Sequence, residues 1–343
     1  MRPCRFREIL KSGACLIDDG KGKRVPACRV TLREKDGRLE RKLVSVVLSR
    51  PEHYLSLYQS GCNLRCRKCH SAEFSQVATG RWWSAEKLAE TAEIYASHVN
   101  VEEPPSRWTM FHAEDLCRSC GACVLRARRS PLCPGVLRRD QVLLSGQGFG
   151  PARNLVAFTG GDLTCRPEYY AEAANAIRRR APGVHVLVET NGVALDRQGL
   201  EILRDGGVEA FWLDVKAFDP DLHRELTGFD NRHVLAAPAL MHEMGFTFEV
   251  LSLFIPGMVE ADQLVSIAEL VAAVDAEIPF TLLAFFPTYK MSEWRAPTFE
   301  EMMNAGQSIL KAGLRNVRLG NAGVFCQTPE ETRQATALGF ARR

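Results

Sequence analysis

Residues 54–70 read Tyr54-Leu-Ser-Leu-Tyr58-Gln-Ser-Gly-Cys62-Asn-Leu-Arg-Cys66-Arg-Lys-Cys69-His70. The first part is a short apolar run, of the kind that forms a strand buried on both faces. The second part sets three cysteines within eight residues on the loop that leaves the strand's C-terminal end. α/β barrels place their chemistry on such loops. Three thiolates this close can surround one iron–sulfur cluster and leave one iron without a protein ligand. A zinc site is the competing reading; it usually takes four ligands, and His70 would be the fourth.

Outward from this stretch a strand-then-helix rhythm repeats. Leu155–Phe158, Val184–Glu189, Ala210–Asp214, Thr247–Phe254, Phe280–Phe285 and Asn316–Leu319 read as further strands after Leu55–Tyr58. Ala85–His98, Glu168–Arg180, Asp196–Asp205, Asn231–Met244, Ala261–Val274 and Phe299–Ala312 read as helices between them. Gly183, Gly207, Gly245 and Gly313 follow four of these, where left-handed C-caps belong. The alternation predicts right-handed βαβ units on a parallel sheet. Six or seven units are too few for a closed eightfold barrel, so the expected fold is a partial parallel (β/α)6 barrel over residues 51–102 and 151–325. Residues 1–50 form an N-terminal extension, in which Arg29–Leu48 reads as a β-hairpin turning at Lys35-Asp36-Gly37. Residues 103–150, with four cysteines, many arginines and little periodicity, read as an insert.

Composition narrows the function. A chain of 343 residues with 46% hydrophobic and 25% charged residues has ample material for a core. Its net charge of +3 indicates neither nucleic acid nor any other polyanion as partner. No apolar run of about 18 residues predicts a membrane span, and Met-Arg-Pro-Cys4-Arg-Phe-Arg-Glu8 lacks the apolar core of a signal peptide. Twelve cysteines in so long a chain, several of them clustered, read as metal ligands in a reducing cytoplasm.

CxxxCxxC at a strand-to-helix loop resembles the signature of the radical S-adenosylmethionine (SAM) superfamily. The resemblance covers roughly residues 54–321. It implies that Cys62, Cys66 and Cys69 hold a catalytic [4Fe–4S] cluster whose open iron binds the SAM amine and carboxylate. It implies further that one electron cleaves SAM to methionine and a 5′-deoxyadenosyl radical, which takes hydrogen from a substrate. Phe158-Thr-Gly160-Gly161-Asp162 is similar to the family's GGE segment, whose backbone meets the SAM amino group; a tight turn alone is its plainer reading. Glu189-Thr190-Asn191-Gly192 and Trp212-Leu-Asp214-Val-Lys216 are similar to segments of the glycyl-radical-enzyme (pyruvate formate-lyase) activases. There they would order the methionyl part of SAM, with a possible bound monovalent cation. Asp219-Pro220-Asp221-Leu222-His223, Leu226-Thr227-Gly228, Phe254-Ile255-Pro256-Gly257 and Pro287-Thr288-Tyr289-Lys290-Met291 extend the likeness. Two features depart from it. The activases' Asp-Gly-Pro-Gly opening is missing, with Gly20-Lys-Gly22-Lys in its region, and Phe286 stands where a histidine is usual.

Cys117-Arg-Ser-Cys120-Gly-Ala-Cys123, followed after nine residues by Cys133-Pro134, resembles half of a bacterial ferredoxin. With a single set present, Cys133 most simply completes a second [4Fe–4S] cluster; a zinc knuckle is the alternative. Arg118, Arg126, Arg128, Arg129, Arg138, Arg139 and Arg153 oppose only Asp140 in this region. They would dock an acidic electron donor such as a ferredoxin or flavodoxin, or form a solvated face. Cys4, Cys15, Cys28 and Cys165 read as small buried hydrophobes, the first three alternatively as a third site. Cys326, just past Gly320-Asn321, stands where it can face the active site. The substrate is then a glycine of a partner glycyl radical enzyme or, alternatively, a peptide, an RNA base or a cofactor precursor. A non-catalytic iron–sulfur electron carrier is the remaining alternative.

Overall fold

Short runs rich in Val, Leu and Phe form strands because both of their faces find apolar partners. In the computed structural model, which describes residues 4–337, nine of them join one sheet. They are β1 (Leu32–Lys35), β2 (Arg38–Leu48), β3 (Leu55–Gln59), β4 (Leu155–Gly160), β5 (His185–Thr190), β6 (Val208–Asp214), β7 (Thr247–Phe254), β8 (Phe280–Ala284) and β9 (Val317–Gly320). Their order across the sheet follows the chain. All pairs from β3 to β9 are parallel, whereas β1, β2 and the short strand Arg81–Ser84 add antiparallel ribbons beside β3.

Six crossovers carry the helices α1 (Ala85–Ala96), α2 (Pro167–Arg180), α3 (Arg197–Gly206), α4 (Pro220–Thr227), α5 (Arg232–Glu243), α6 (Ala261–Val274) and α7 (Phe299–Lys311). Consecutive right-handed crossovers put them all on one side of the sheet. The result is the expected open α/β arrangement, with seven parallel strands and six crossovers. Strand alternation sends Val156, Phe158, Val188, Phe211 and Val250 outward into the main core beneath the helices. Leu155, Ala157, Leu187 and Ala210 point inward, where they meet Tyr54 and Trp108 in a small second core.

Three details differ from the sequence reading. Gly183 has no left-handed conformation, because α2 ends at Ala181 instead; Gly207, Gly245 and Gly313 do have it. The hairpin of the N-terminal extension begins at Leu32 rather than Arg29, because Ala27–Thr31 forms a short helix, and through β2 it joins the main sheet. α4 was read only as a motif, although its local chemistry is complete. Asp219 caps the amides of Asp221 and Leu222 at 2.9 and 2.8 Å, Pro220 fills the first turn, and Gly228 closes the helix.

The insert does more than hang from the surface. Its first part enters the concave face of the sheet, where the Trp108 ring stacks on His185 with centroids 3.7 Å apart. The Phe111 amide donates to Glu249 at 2.6 Å, and Arg318 reaches the Phe111 carbonyl and Asp115. Arg153, expected on a basic surface, is fully buried and donates to the carbonyls of Arg107, Thr109 and Glu52. Burial requires this, because an unbonded guanidinium would be costly away from water. Replacing Trp108 by Ala should therefore cost about 3–5 kcal/mol, as expected for a large core aromatic. Chemical denaturation of the metal-free chain measures it, and a loss below about 1 kcal/mol would show that the inward segment is not a core element.

Candidate active site

The strand ends β3 to β6 open on one cleft of about 230 Å³. Cys62, Cys66 and Cys69 line it, together with Gly160, Asp162, Glu189, Thr190, Asn191, Asp214 and Lys216. The cysteine loop owes its shape to backbone contacts. Arg65 and Arg67 amides donate to the carbonyls of Thr227 and Leu226 at 3.0 and 2.7 Å, and the Asn63 amide to Asp162 O at 2.8 Å. The last carbonyls of α4, which have no intrahelical partner, thus hold the loop. This gives Leu226-Thr227-Gly228 a physical role.

Gly161 does not line the cleft. A Cβ there would lie 2.3 Å from Gly61 O, so the two loops meet through their glycines. Asp162 lines the cleft, but its carboxylate is engaged by the protein. It accepts from the Thr164 amide at 2.6 Å, from Thr190 Oγ1 at 2.8 Å and from the Asn191 amide at 2.9 Å. Asn191 Nδ2 in turn donates to Asn63 Oδ1 at 2.7 Å. Asp162 therefore positions the Thr190-Asn191 loop against the cysteines.

Part of the chain matches a known family. Residues 146–271, from the strand before the glycine turn to α6, match the family described as the radical SAM superfamily. Over that stretch the chain carries a radical SAM domain. No curated protein matches the sequence. Among solved structures, Streptococcus suis SuiB bound to precursor peptide SuiA is 14% identical, with 83% of this chain and 52% of that chain covered and a TM-score of 0.52. That likeness shows a shared fold, and this chain spans about half the length of SuiB. A domain of pyruvate-formate lyase-activating enzyme from Bacteroides vulgatus is 19% identical over 48% of this chain and 98% of its own, with a TM-score of 0.41.

A radical SAM domain implies a [4Fe–4S] cluster and SAM, and the donor set fits both. Three thiols face one cleft. Among the described residues no group of three or more His, Cys, Asp or Glu side chains is gathered around a single metal ion. A cubane asks for something else, since each thiolate binds its own iron. Burial pushes the Cys62 thiol up to about 12, with Asp162 adding to the effect, and pushes Cys66 up as well. The metal-free loop thus holds these thiols protonated, and binding a metal group must release their protons. His70 lines the same cleft and is held neutral, its pKa lowered to about 4 by burial and by Lys68 and Lys216.

Glu189 and Asp214 share the rim, close enough that Asp214 adds to the upward shift of Glu189. Lys216 forms an ion pair with Asp214. Burial pulls the Lys216 pKa down, but the charge and hydrogen bond of Asp214 outweigh it and hold the ammonium charged. Glu189 accepts hydrogen bonds from Tyr54 Oη and Thr159 Oγ1. Tyr54 and Thr159 were missed in the sequence, where nothing marked them apart from their places on β3 and β4. Lys68 also escaped notice; its ammonium lies 3.9 Å from the ring of Phe286, the residue that stands in place of the usual histidine.

The other cysteine set lies apart. Cys117, Cys120, Cys123 and Cys133 line a second cavity of about 160 Å³, with Leu116, Leu137 and Val142 on its apolar side. Arg118 pairs with Glu114 and Arg138 with Asp140, so with Arg153 buried the open basic face is reduced to Arg126, Arg128, Arg129 and Arg139. Cys326 is not among the cleft-lining residues; its neighbours are Glu331 and Thr332.

Two buried carboxyls make stability depend on pH. Burial raises Glu189 to about 8 and Glu249 to about 7, above the usual carboxylate range. At these two groups the folded chain binds more protons than the unfolded chain between about pH 4.5 and pH 8, so their contribution to stability falls as pH rises. The buried histidines His53 and His70, lowered to about 3 and 4, act the other way below about pH 6.5. Above about pH 6.5 the thermal midpoint of the metal-free protein should decline toward pH 8, and Glu189→Gln should flatten the decline while leaving the Glu249 share. An unchanged slope in the variant would show that Glu189 is ionised in the fold.

Proposed function

We propose that this radical SAM enzyme activates a partner protein by taking hydrogen from a glycine Cα, as the glycyl-radical-enzyme activases do. The observation that carries the reading is that Cys62, Cys66 and Cys69, Gly160 and Asp162 of the glycine turn, Glu189-Thr190-Asn191, Asp214 and Lys216 all open on one cleft at consecutive strand ends. When bound, the [4Fe–4S] cluster supplies the electron that cleaves SAM and releases the 5′-deoxyadenosyl radical. The chain's residues do the rest. The three thiolates hold the cluster, Gly160 brings the backbone near the SAM amine, and the Asp214–Lys216 pair presents both charges to the methionyl zwitterion. Glu189, or a monovalent cation beside it, completes the rim. Loop and strand ends exclude water around the reacting atoms.

The second cysteine set is proposed to hold a [4Fe–4S] cluster that passes electrons inward. Leu125 and Val136 are exposed beside its basic residues, and together they offer an apolar and cationic face to an acidic ferredoxin or flavodoxin.

Anaerobically reconstituted protein with dithionite and SAM should yield 5′-deoxyadenosine, and Cys66→Ala should abolish it. Cleavage that survives the triple Cys62/Cys66/Cys69→Ala change would overturn the SAM site. Asp214→Asn should keep the iron content and slow cleavage by roughly 30- to 1,000-fold, equivalent to about 2–4 kcal/mol. Wild-type kinetics would leave Asp214 a structural carboxylate only. Removing Cys117, Cys120, Cys123 and Cys133 should lower the iron content by about 4 per chain. For the substrate, a glycyl radical enzyme encoded beside this gene should acquire a protein-borne glycyl radical, read by electron paramagnetic resonance. 5′-Deoxyadenosine formed without such a radical would reject the activase reading and keep the SAM chemistry.

A further inference from the structure

Four cysteines that belong to neither set meet beside the SAM loops, brought there from three separate parts of the chain. Cys15 directly precedes the strand Leu16–Asp18 and Cys28 lies just past the strand Arg24–Pro26. These strands pair antiparallel, with Leu16 opposite Pro26, and the Ala27 amide donates to Cys15 O at 2.9 Å. The hairpin therefore brings its two cysteines to one end. Cys4 arrives from the N-terminal segment, which is clamped where Arg5 grips both Asp196 oxygens at 2.6 and 2.7 Å. Cys165 comes from the loop that follows the Gly160-Gly161-Asp162 turn. The Cys4 and Cys165 side chains hydrogen-bond each other. Cys28 lies within electrostatic reach of both, and Cys15 within reach of Cys28 and Cys4.

The location ties this group to the active site on two sides. Cys165 is three residues from Asp162, whose carboxylate locks the Thr190-Asn191 loop. The helix Ala27–Thr31, which carries Cys28, packs on the cysteine loop itself, since a Cβ on Gly61 would meet Thr31 Oγ1 at 2.7 Å. The Asp18 amide and carbonyl bond to Gln76 and Ala78 just after that loop, at 2.9 and 2.8 Å. Arg166 supplies positive charge to Cys4 and Cys28.

We propose that Cys4, Cys15, Cys28 and Cys165 ligate a third iron–sulfur cluster, of the [4Fe–4S] type, adjoining the SAM loops. Scattered buried cysteines act as small hydrophobes and do not need one another; these four converge on one another. A Cys4–Cys165 disulfide would use two and strand two. A zinc ion requires four ligands within about 2.3 Å of one point, and among the described residues no such gathering exists. A cubane accepts more widely spaced thiolates, one to each iron. Four cysteine ligands leave no iron open, so this cluster would not bind SAM. The site is independent of what the other seven cysteines hold.

Iron counting tests it on this full chain, reconstituted anaerobically with iron and sulfide. Wild-type protein should hold about 12 irons, and the fourfold Cys4/Cys15/Cys28/Cys165→Ser variant about 8. A second variant, with the seven cysteines at 62, 66, 69, 117, 120, 123 and 133 changed to Ala, should keep about 4 irons with a [4Fe–4S] Mössbauer signature. The wild-type comparison still decides the matter if that variant does not fold. Equal iron in wild type and the fourfold variant overturns the proposal. So does stoichiometric zinc held by these four residues, or a Cys4–Cys165 disulfide found by mass spectrometry in the anaerobically reconstituted protein.

Discussion

The guanidinium of Arg41 holds together the two loops on which the site is built. It is wholly buried, and its Nη2 donates to the carbonyls of Ser60, Gly61 and Gly161 at 3.2, 3.0 and 2.8 Å. Its other arm approaches Tyr170 Oη at 3.4 Å, and that oxygen accepts the Leu163 amide at 3.0 Å. Burying a cation is costly unless it finds acceptors, and here Nη2 meets carbonyls that the close approach of two glycine loops leaves facing inward. The cysteine loop and the glycine turn are thereby set at a fixed separation by a residue on an antiparallel strand outside the parallel sheet. The N-terminal segment is thus part of the site's foundation.

Around that anchor, the molecule separates an apolar outer core from a polar interior. The outer face of the sheet is filled by helices. The inner face carries Glu249, Arg318 and His185, residues that a closed barrel packed with branched aliphatics would not accommodate. The segment around Trp108 and Phe111 answers them with backbone amides, carbonyls and ring stacking. One insertion therefore has two duties. Its first part closes the base of the open sheet, and its second part carries four cysteines to a cavity of their own.

The cleft's electrostatics follow from the same division. Glu189 stays largely protonated at neutral pH because it is buried among hydroxyl donors, whereas Asp214 at the neighbouring strand end is neutralised by Lys216. One wall of the cleft thus presents neutral oxygen and the other a charge pair. That asymmetry suits a ligand bearing both an amine and a carboxylate at one end.

The seven parallel strands, six of the seven crossover helices and all three cysteines of the first loop were legible in the sequence, because period-2 and period-3.6 patterns and close motif spacing are local signals. The glycine turn and the Asp214–Lys216 segment were legible for the same reason. α4 hid within a motif, although its cap residues were in plain view. What only the tertiary structure decided is which distant groups meet. Sequence spacing gave no sign that Arg41 would bridge two loops, that Arg153 would be drawn inside, or that Asp162 would engage Thr190 and Asn191. Nor did it show that Cys165 would join Cys4, Cys15 and Cys28. These pairings arise from the register between strands and from the demand of each buried polar group for a partner, and neither is written in any short stretch of chain.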